Sequence, residues 1–269
     1  MRIHCYLRNM RTRQGVSEHV LAAAAGFRRH GFDPQLVPVG QPAPCDLAVC
    51  WGVKKLPEMA SGRRALILER GYLGDRLNTW TSVGFDGLNG RADFRNAGAD
   101  SSRWDRHFAA TMKPWLEPSS GDYVLVLGQV AGDASLRGLD VDRWAAQTML
   151  QLRSRGIPAL FRPHPQAAVG ARVVNLPRAE GDLAAVLDRA MWAVTYNSNS
   201  GVDAVMAGIP TVAIDAGSMA WPVTGRVPYL EPPTPDRARW GAELAWTQWT
   251  LAEIKNGDAW DHLRQGLPS

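Results

Sequence analysis

The feature that most constrains this chain is a run of short apolar segments in its second half, each stopped by a polar turn. Tyr123-Val124-Leu125-Val126-Leu127 ends at Gly128-Gln129, residues 159–162 end at Arg162-Pro163-His164-Pro165, and residues 192–196 end at Asn197-Ser198-Asn199-Ser200-Gly201. Apolar runs of four to eight residues bounded by glycine, proline and serine fit fully buried strands, and stretches with helical periodicity lie between them. Alternation of this kind specifies a mainly parallel α/β sheet. In open parallel sheets ligands bind beyond the carboxyl ends of the strands. All three polar turns then fall on one rim.

The remaining elements follow from the same reading. Residues 2–7 fit a strand, 8–15 a loop, and 17–30 a helix with Ser17 as N-cap and Gly31 as C-terminal stop. Strand-like runs recur at 35–39, 46–51 and 65–69. In the second half, helices are expected at 141–155, 182–189 and 202–207, a short strand at 173–176, and a closing strand at 210–214. Residues 113–121, with Pro114 and Pro118, read as a linker, and 236–263 as one or two helices. The expectation is an α/β protein of two Rossmann-like lobes: residues 1–115 facing an acceptor, residues 121–235 binding a nucleotide-sugar, and a helical tail, 236–269, that crosses back over the first lobe. A cleft is expected between the lobes.

Composition narrows the class. Hydrophobic residues make up 45% of the 269 and charged residues 21%, enough for a water-soluble core. No apolar run approaches the ~20 residues needed to span a bilayer, and the N-terminus lacks the apolar core of a secretory signal, so a cytoplasmic location is expected. Three cysteines, Cys5, Cys45 and Cys50, do not suit a disulfide framework or zinc spacing. Of 30 basic residues 26 are arginine, a type suited to gripping phosphate; GC-rich coding produces the same bias. No GxGxxG, GxxxxGK[ST] or GxSxG occurs.

Each candidate residue has a specific chemistry. Asn197, Ser198, Asn199, Ser200 and Gly201 lie between a strand and a helix, where N–H groups and hydroxyls can face an anion; capping the helix is the plainer reading. Pro163 and Pro165 clamp His164, whose imidazole can donate to a phosphate or leaving-group oxygen, beside Arg162. Gly128 and Gln129 allow close approach of a ligand. Residues 70–100 are glycine-rich, with Tyr72, Trp80 and Phe85 interleaved with Arg70 and Arg76. This pattern can stack on bases or sugar rings and grip phosphates. It reads as an ordered contact surface.

The order RPHP, then a serine-rich turn about thirty residues on, then Gly208-Ile209-Pro210, resembles the donor-binding lobe of GT-B-fold glycosyltransferases. It is similar in particular to the capsule-polysaccharide and polysialyltransferase-like families. The resemblance covers residues 123–214. It implies that His164, Ser198 and Ser200 hold the phosphates of a nucleotide-sugar donor, UDP- or CMP/CDP-linked, without a metal or resident cofactor. Residues 69–76 and the tryptophan-rich tail resemble bacteriophage proteins of glycosyltransferase type, which implies hydroxymethylated DNA as a possible acceptor. An inverting transfer needs a base from the first lobe: Asp75 is expected first, Glu69 second and Asp86 third. A cell-surface glycan acceptor, a nucleotide-sugar 2-epimerase and a non-catalytic nucleotide- or glycan-binding module are the alternatives.

Overall fold

The computed structural model describes residues 1–8, 16–41, 43–54, 64–167 and 170–265. Most of the expected loop, residues 9–15, lies outside the described residues. The chain divides into two compact units, Met1–Arg106 with Gly241–Ser269, and His107–Trp240. No helix among the described residues is long and apolar enough to cross a membrane.

Unit 1 is built on a six-stranded sheet of order β10-β5-β4-β3-β1-β2. Strands β1 (Ile3–Leu7), β2 (Gln35–Pro38), β3 (Leu47–Trp51) and β4 (Arg64–Arg70) are mutually parallel. Strand β5 (Trp80–Phe85) turns back antiparallel to β4, and β10 (Gln248–Thr250) pairs antiparallel with β5. Side chains alternate across the pleat. Leu47, Val49, Leu66, Leu68, Val83 and Phe85 face one core together with Phe27 of helix α1 (Val16–Arg29). Ala48, Cys50, Ala65 and Ile67 face the other.

The carboxyl-terminal segment completes the first core. Helices α7 (Leu251–Asn256) and α8 (Asp258–Leu263) insert Ile254, Trp260 and Leu263 beside Phe27. Gly26 makes the approach possible, because a Cβ there would lie 2.3 Å from the Ile254 carbonyl oxygen. A capping box of Thr250 and Glu253 starts α7. The expected purely helical tail is corrected by β10, whose partner strand is remote in sequence. Ser17 is also reassigned: it lies inside α1 with its hydroxyl buried and without a hydrogen-bond partner among the described residues, and is not the cap.

Unit 2 carries a four-stranded, wholly parallel sheet of order β7-β6-β8-β9. The strands are β6 (Tyr123–Leu127), β7 (Ala159–Arg162), β8 (Ala190–Thr195) and β9 (Thr211–Ala213). Their burial on both faces explains the near-continuous apolar runs. Helix α3 (Val141–Arg153), capped by Asp140, covers one face with Ala145, Met149 and Leu152. Helices α4 (Leu183–Leu187), capped by Asp182, and α5 (Ser200–Met206) cover the other with Val186, Leu187 and Ala204.

Helix α2 (Ser102–His107) and helix α6 (Ala238–Ala245) carry the chain from one unit to the other. Residues 113–121 are not a free linker. The Lys113 and Leu116 amides donate to the Met206 and Gly208 carbonyls, which ties this stretch to unit 2. Residues 173–176 form turns rather than a strand; Val173 is buried, and a bridge runs nearby from Phe161 to Arg178.

Candidate functional site

Because β6 to β9 are all parallel, their carboxyl ends share one rim of unit 2. Gly128-Gln129, Arg162 to His164, Asn197 to Ser200 and Asp215 follow those ends in turn. At Gly128 a Cβ would lie 2.9 Å from the Phe161 ring and 3.0 Å from the Arg162 carbonyl oxygen, so only glycine lets the β6 and β7 ends close together.

One polar network ties three of these loops. Asn197, 2% exposed, donates from Nδ2 to the Ser135 carbonyl at 2.9 Å and to Asp215 Oδ1 at 3.0 Å. The Ser135 hydroxyl donates to Asp133 Oδ1 at 2.6 Å and accepts from Gln129 Nε2 at 2.8 Å. Asp215 Oδ1 also accepts from the Gly217 amide at 2.8 Å. A carboxylate accepts only, so Asp133 takes the hydroxyl proton of Ser135, and this in turn fixes Gln129 with its amide nitrogen toward Ser135. Asn197 and Gln129 therefore hold the loops in register. Buried hydrogen-bond networks of this kind rigidify what they join.

The serine turn is organised by its own backbone. Thr195 Oγ1 accepts from the Ser198 amide at 3.0 Å, and Ser198 Oγ accepts from the Ser200 amide at 3.3 Å. Ser198 is buried and its hydroxyl closes the turn just before α5, whose N-cap is Asn199; Ser200 and Asn199 are half-buried. Gly201 has a packing role at the start of α5. It is buried, and a Cβ there would meet Thr195 Cγ2 at 2.9 Å, so it permits α5 to pack against the end of β8.

His164 is half-buried at the end of β7. Its Nδ1 accepts from the Gln166 amide at 3.2 Å, which assigns the proton of the neutral ring to Nε2 and makes that nitrogen a donor for an anionic oxygen. Arg162 donates to the Gly181 carbonyl at 3.1 Å and braces the following loop.

Unit 1 has a corresponding rim at the carboxyl ends of β1, β3 and β4. Glu69 lies there, half-buried, with Oε1 accepting from the Arg70 amide at 3.0 Å. Asp75 is fully exposed. Its carboxylate accepts from the Asn78 side chain and from the Asn78 and Leu77 amides, bonds that hold its pKa below the ordinary carboxylate value. It thus closes its own turn and is a weakened base. Asp86 is at the wrong end. It accepts from the Ala65 amide at 2.7 Å, at the start of β4, and meets Arg64 Nε at 3.1 Å.

The expected aromatic contact surface is corrected. Tyr72, Trp80 and Phe85 are all buried. Phe85 packs in the core under the Arg64 guanidinium, 4.4 Å from its ring centroid, and Tyr72 meets Phe94 edge-on. Glycine at position 84 admits the Phe94 ring, which a Cβ would approach to 2.6 Å. Gly71, Gly84 and Gly87 thus serve close internal packing, whereas Gly74 and Gly98 supply positive φ in turns. Arg70 is exposed and Arg76 half-exposed.

Several site residues gave no local signal. Ser135, Asp133 and Asp215 sit in ordinary loop sequence. His19, on the first turns of α1, is half-buried; its Nδ1 lies 2.8 Å from Thr81 Oγ1 and its ring packs 4.7 Å from Trp51. Gln248 of β10, fully buried, accepts from the Tyr72 and Leu73 amides at 2.6 and 3.0 Å and donates to the Leu73 carbonyl at 3.2 Å.

No family model and no curated protein matches the sequence. Solved structures do. A KpsC beta Kdo 2,7 transferase from Thermosulfurimonas dismutans is similar with a TM-score of 0.61 and 12% identity, over 95% of this chain and 97% of that one. The KpsC beta Kdo 2,4 transferase of the same organism is similar at 0.60 and 15%, over the same shares of each chain. At these identities the likeness is one of fold.

Proposed function

We propose that this chain is a glycosyltransferase that binds a nucleotide-activated sugar at the carboxyl rim of unit 2 and transfers the sugar to a hydroxyl group. The observation that carries the reading is the convergence of the Gly128-Gln129, Arg162–His164, Asn197–Ser200 and Asp215 loops on that one rim. The fold likeness to two Kdo transferases supports it.

The residues divide the work by chemistry. His164 donates from Nε2 to a phosphate oxygen, and the Ser200 hydroxyl and Asn199 offer further polar contacts. Ser198, Asn197 and Gln129 keep those groups in place. Stabilising the departing phosphate in this preorganised way favours the charge that develops as the sugar leaves. With the aromatic rings of residues 70–100 in the core, the surface offered for stacking on DNA bases is gone. A glycan or other sugar-bearing hydroxyl acceptor is the favoured substrate class.

The test is a thermal-shift series with CMP-Kdo, UDP-glucose, CMP, UDP and inorganic phosphate. A ligand at ~100 times its Kd adds ~2.7 kcal/mol of stability, a shift easily read. At least one nucleotide-sugar is expected to raise the unfolding midpoint, and His164→Ala to abolish that rise. Equal midpoints with and without every nucleotide, together with no release of nucleotide from any donor, would refute the reading.

A further inference from the structure

We infer that Trp144 and Tyr196 form the seat of a nucleobase at the carboxyl rim of unit 2. The inference rests on the reading of that rim as a nucleotide-sugar site and names the side chains that recognise the base.

The fold brings the two rings to the rim from separate elements. Helix α3 leads from the carboxyl end of β6 back to the amino end of β7, so its first turn, with Trp144, stands over the strand ends. Trp192 and Val194 of β8 face the core under α3, and Tyr196 continues that alternation just past the strand. The rings meet edge to face, with centroids 5.7 Å apart and planes at 69°. In the order β7-β6-β8-β9 the chain leaves β6 toward β7 on one side and resumes at β8 on the other. The gap between β6 and β8 is thus the topological switch point, where open parallel sheets bind ligands. The polar link from Ser135 to Asn197 and the aromatic link from Trp144 to Tyr196 both bridge that gap.

Both rings stand on fixed backbone and both are half-buried. The Trp144 amide donates to the Asp140 carbonyl at 3.0 Å, and Asp140, which caps the helix, pairs with Arg172 at 2.7 Å. The Tyr196 carbonyl accepts from the Ile214 and Asp215 amides at 3.2 and 3.0 Å. The other tryptophans of unit 2 are already engaged. Trp115, Trp192 and Trp240 donate from their indole nitrogens to the Pro235, Pro228 and Met219 carbonyls, and the Arg226 guanidinium lies 3.4 Å from the Trp221 ring centroid. Among the described residues, Trp144 has neither an acceptor for its Nε1–H nor a cation over its ring.

Charge decides which part of a nucleotide belongs there. The start of α3 already holds the carboxyls of Asp140 and Asp142; burial and the Asp140 charge push the Asp142 pKa up, against the Arg172 guanidinium. A phosphate brought to Trp144 meets that same negative charge, whereas His164 and the serine turn offer imidazole and hydroxyl groups. An uncharged planar ring therefore suits Trp144, and the phosphate suits the rest of the rim. Neighbouring strands stand ~4.8 Å apart, so the ends of β7 and β8, with β6 between them, are about 10 Å apart. That span takes a nucleoside monophosphate laid along the rim, its base at Tyr196 and its phosphate toward His164. Stacking uses the π-face that every base has, so cytosine and uracil are both accepted.

Calorimetry on the full chain tests this with CMP, UMP, ribose 5-phosphate and inorganic phosphate, for wild type, Trp144→Leu and Trp144→Phe. Loss of base stacking is expected to weaken CMP and UMP alike in Trp144→Leu, roughly 5–150-fold, with ribose 5-phosphate unchanged. Trp144→Phe keeps a ring and is expected to fall between the two. A measurement on the wild type alone guards against a variant that fails to fold: saturation-transfer NMR with CMP is expected to mark the base protons more strongly than the ribose protons. Equal weakening of CMP and ribose 5-phosphate, no weakening of CMP, or stronger marking of the ribose overturns the base seat and leaves the transferase reading standing. A wild type that binds neither nucleotide and releases none from CMP-Kdo or UDP-glucose overturns the transferase reading, and the base seat with it.

Discussion

Replacing Gln248 by leucine tests how unit 1 is held together. The two side chains are close in volume, so the change leaves little cavity and isolates the hydrogen bonds. Gln248 is fully buried and satisfies the Tyr72 and Leu73 amides and the Leu73 carbonyl. Tyr72 and Leu73 are themselves buried, so leucine strands two N–H donors where water does not reach. Each stranded group costs about 1–3 kcal/mol, and the added apolar burial of leucine offsets about 1 kcal/mol of the sum. The expected net loss is about 1–5 kcal/mol. At roughly 2–4 °C per kcal/mol for a chain of this size, the midpoint of the phase that reports unit 1 falls by roughly 2–20 °C. Urea and thermal unfolding followed by tryptophan fluorescence measure it, with the nucleotide-dependent phase of unit 2 as the internal control. A loss below about 1 kcal/mol would refute the reasoning, because it would mean those amides find other partners. Gly71→Ala gives an independent check on the same contact: its Cβ would lie 2.7 Å from Trp80 Cβ and 2.9 Å from Gln248 Oε1, so it is expected to destabilise the same phase.

Three further outcomes are expected. Glu253 forms a bidentate pair with buried Arg103, at 2.6 and 2.8 Å. Burial acts to raise its pKa, but the Arg103 and Thr250 bonds outweigh that and hold it below 4.5. A depressed folded pKa adds stability that is present above the unfolded value and lost as pH falls through the folded one. The stability of unit 1 is therefore expected to decline below about pH 4.5 in wild type, and Glu253→Gln to flatten that decline in denaturation curves taken at each pH. Asn197→Asp places a second carboxylate 3.0 Å from Asp215 Oδ1 in a buried network; calorimetry is expected to show nucleotide affinity at least tenfold weaker, and the loss to shrink on acidification. Phe85→Ala is expected to cost about 3–5 kcal/mol of unit 1 stability without altering salt-dependent DNA retention, as a core ring does and a stacking surface does not.

Much of unit 2 was readable from the chain alone. Apolar runs the length of a strand, Asp140 and Asp182 at helix starts, and glycine, proline and serine at strand ends are local signals. A parallel sheet converts them directly into a shared rim. The sequence thus determined that His164 and the serine turn follow strand ends on one rim; β6 lies between their two strands. It did not reveal that Asn197 would bond Ser135 and Asp215, since hydrogen bonds between loops depend on strand order. It also misplaced the rings of residues 70–100. A tyrosine or tryptophan among glycines reads the same whether the glycines loosen a surface loop or make room for the ring, as Gly84 does for Phe94.

The tertiary structure alone decided three things in unit 1. Strand β10 is three residues long and is held by a partner far back in the sequence, so nothing local marks it. Glu69 and Arg70 are neighbours in the chain, but the pleat sends them to opposite faces. The helical pattern of α1 shows which residues turn inward, and only the return of β5 supplies the threonine that meets His19. Local composition sets which elements form, because backbone preference and burial act over a few residues; which side chains meet is set by sheet order and pleat, properties that exist only once distant segments have paired.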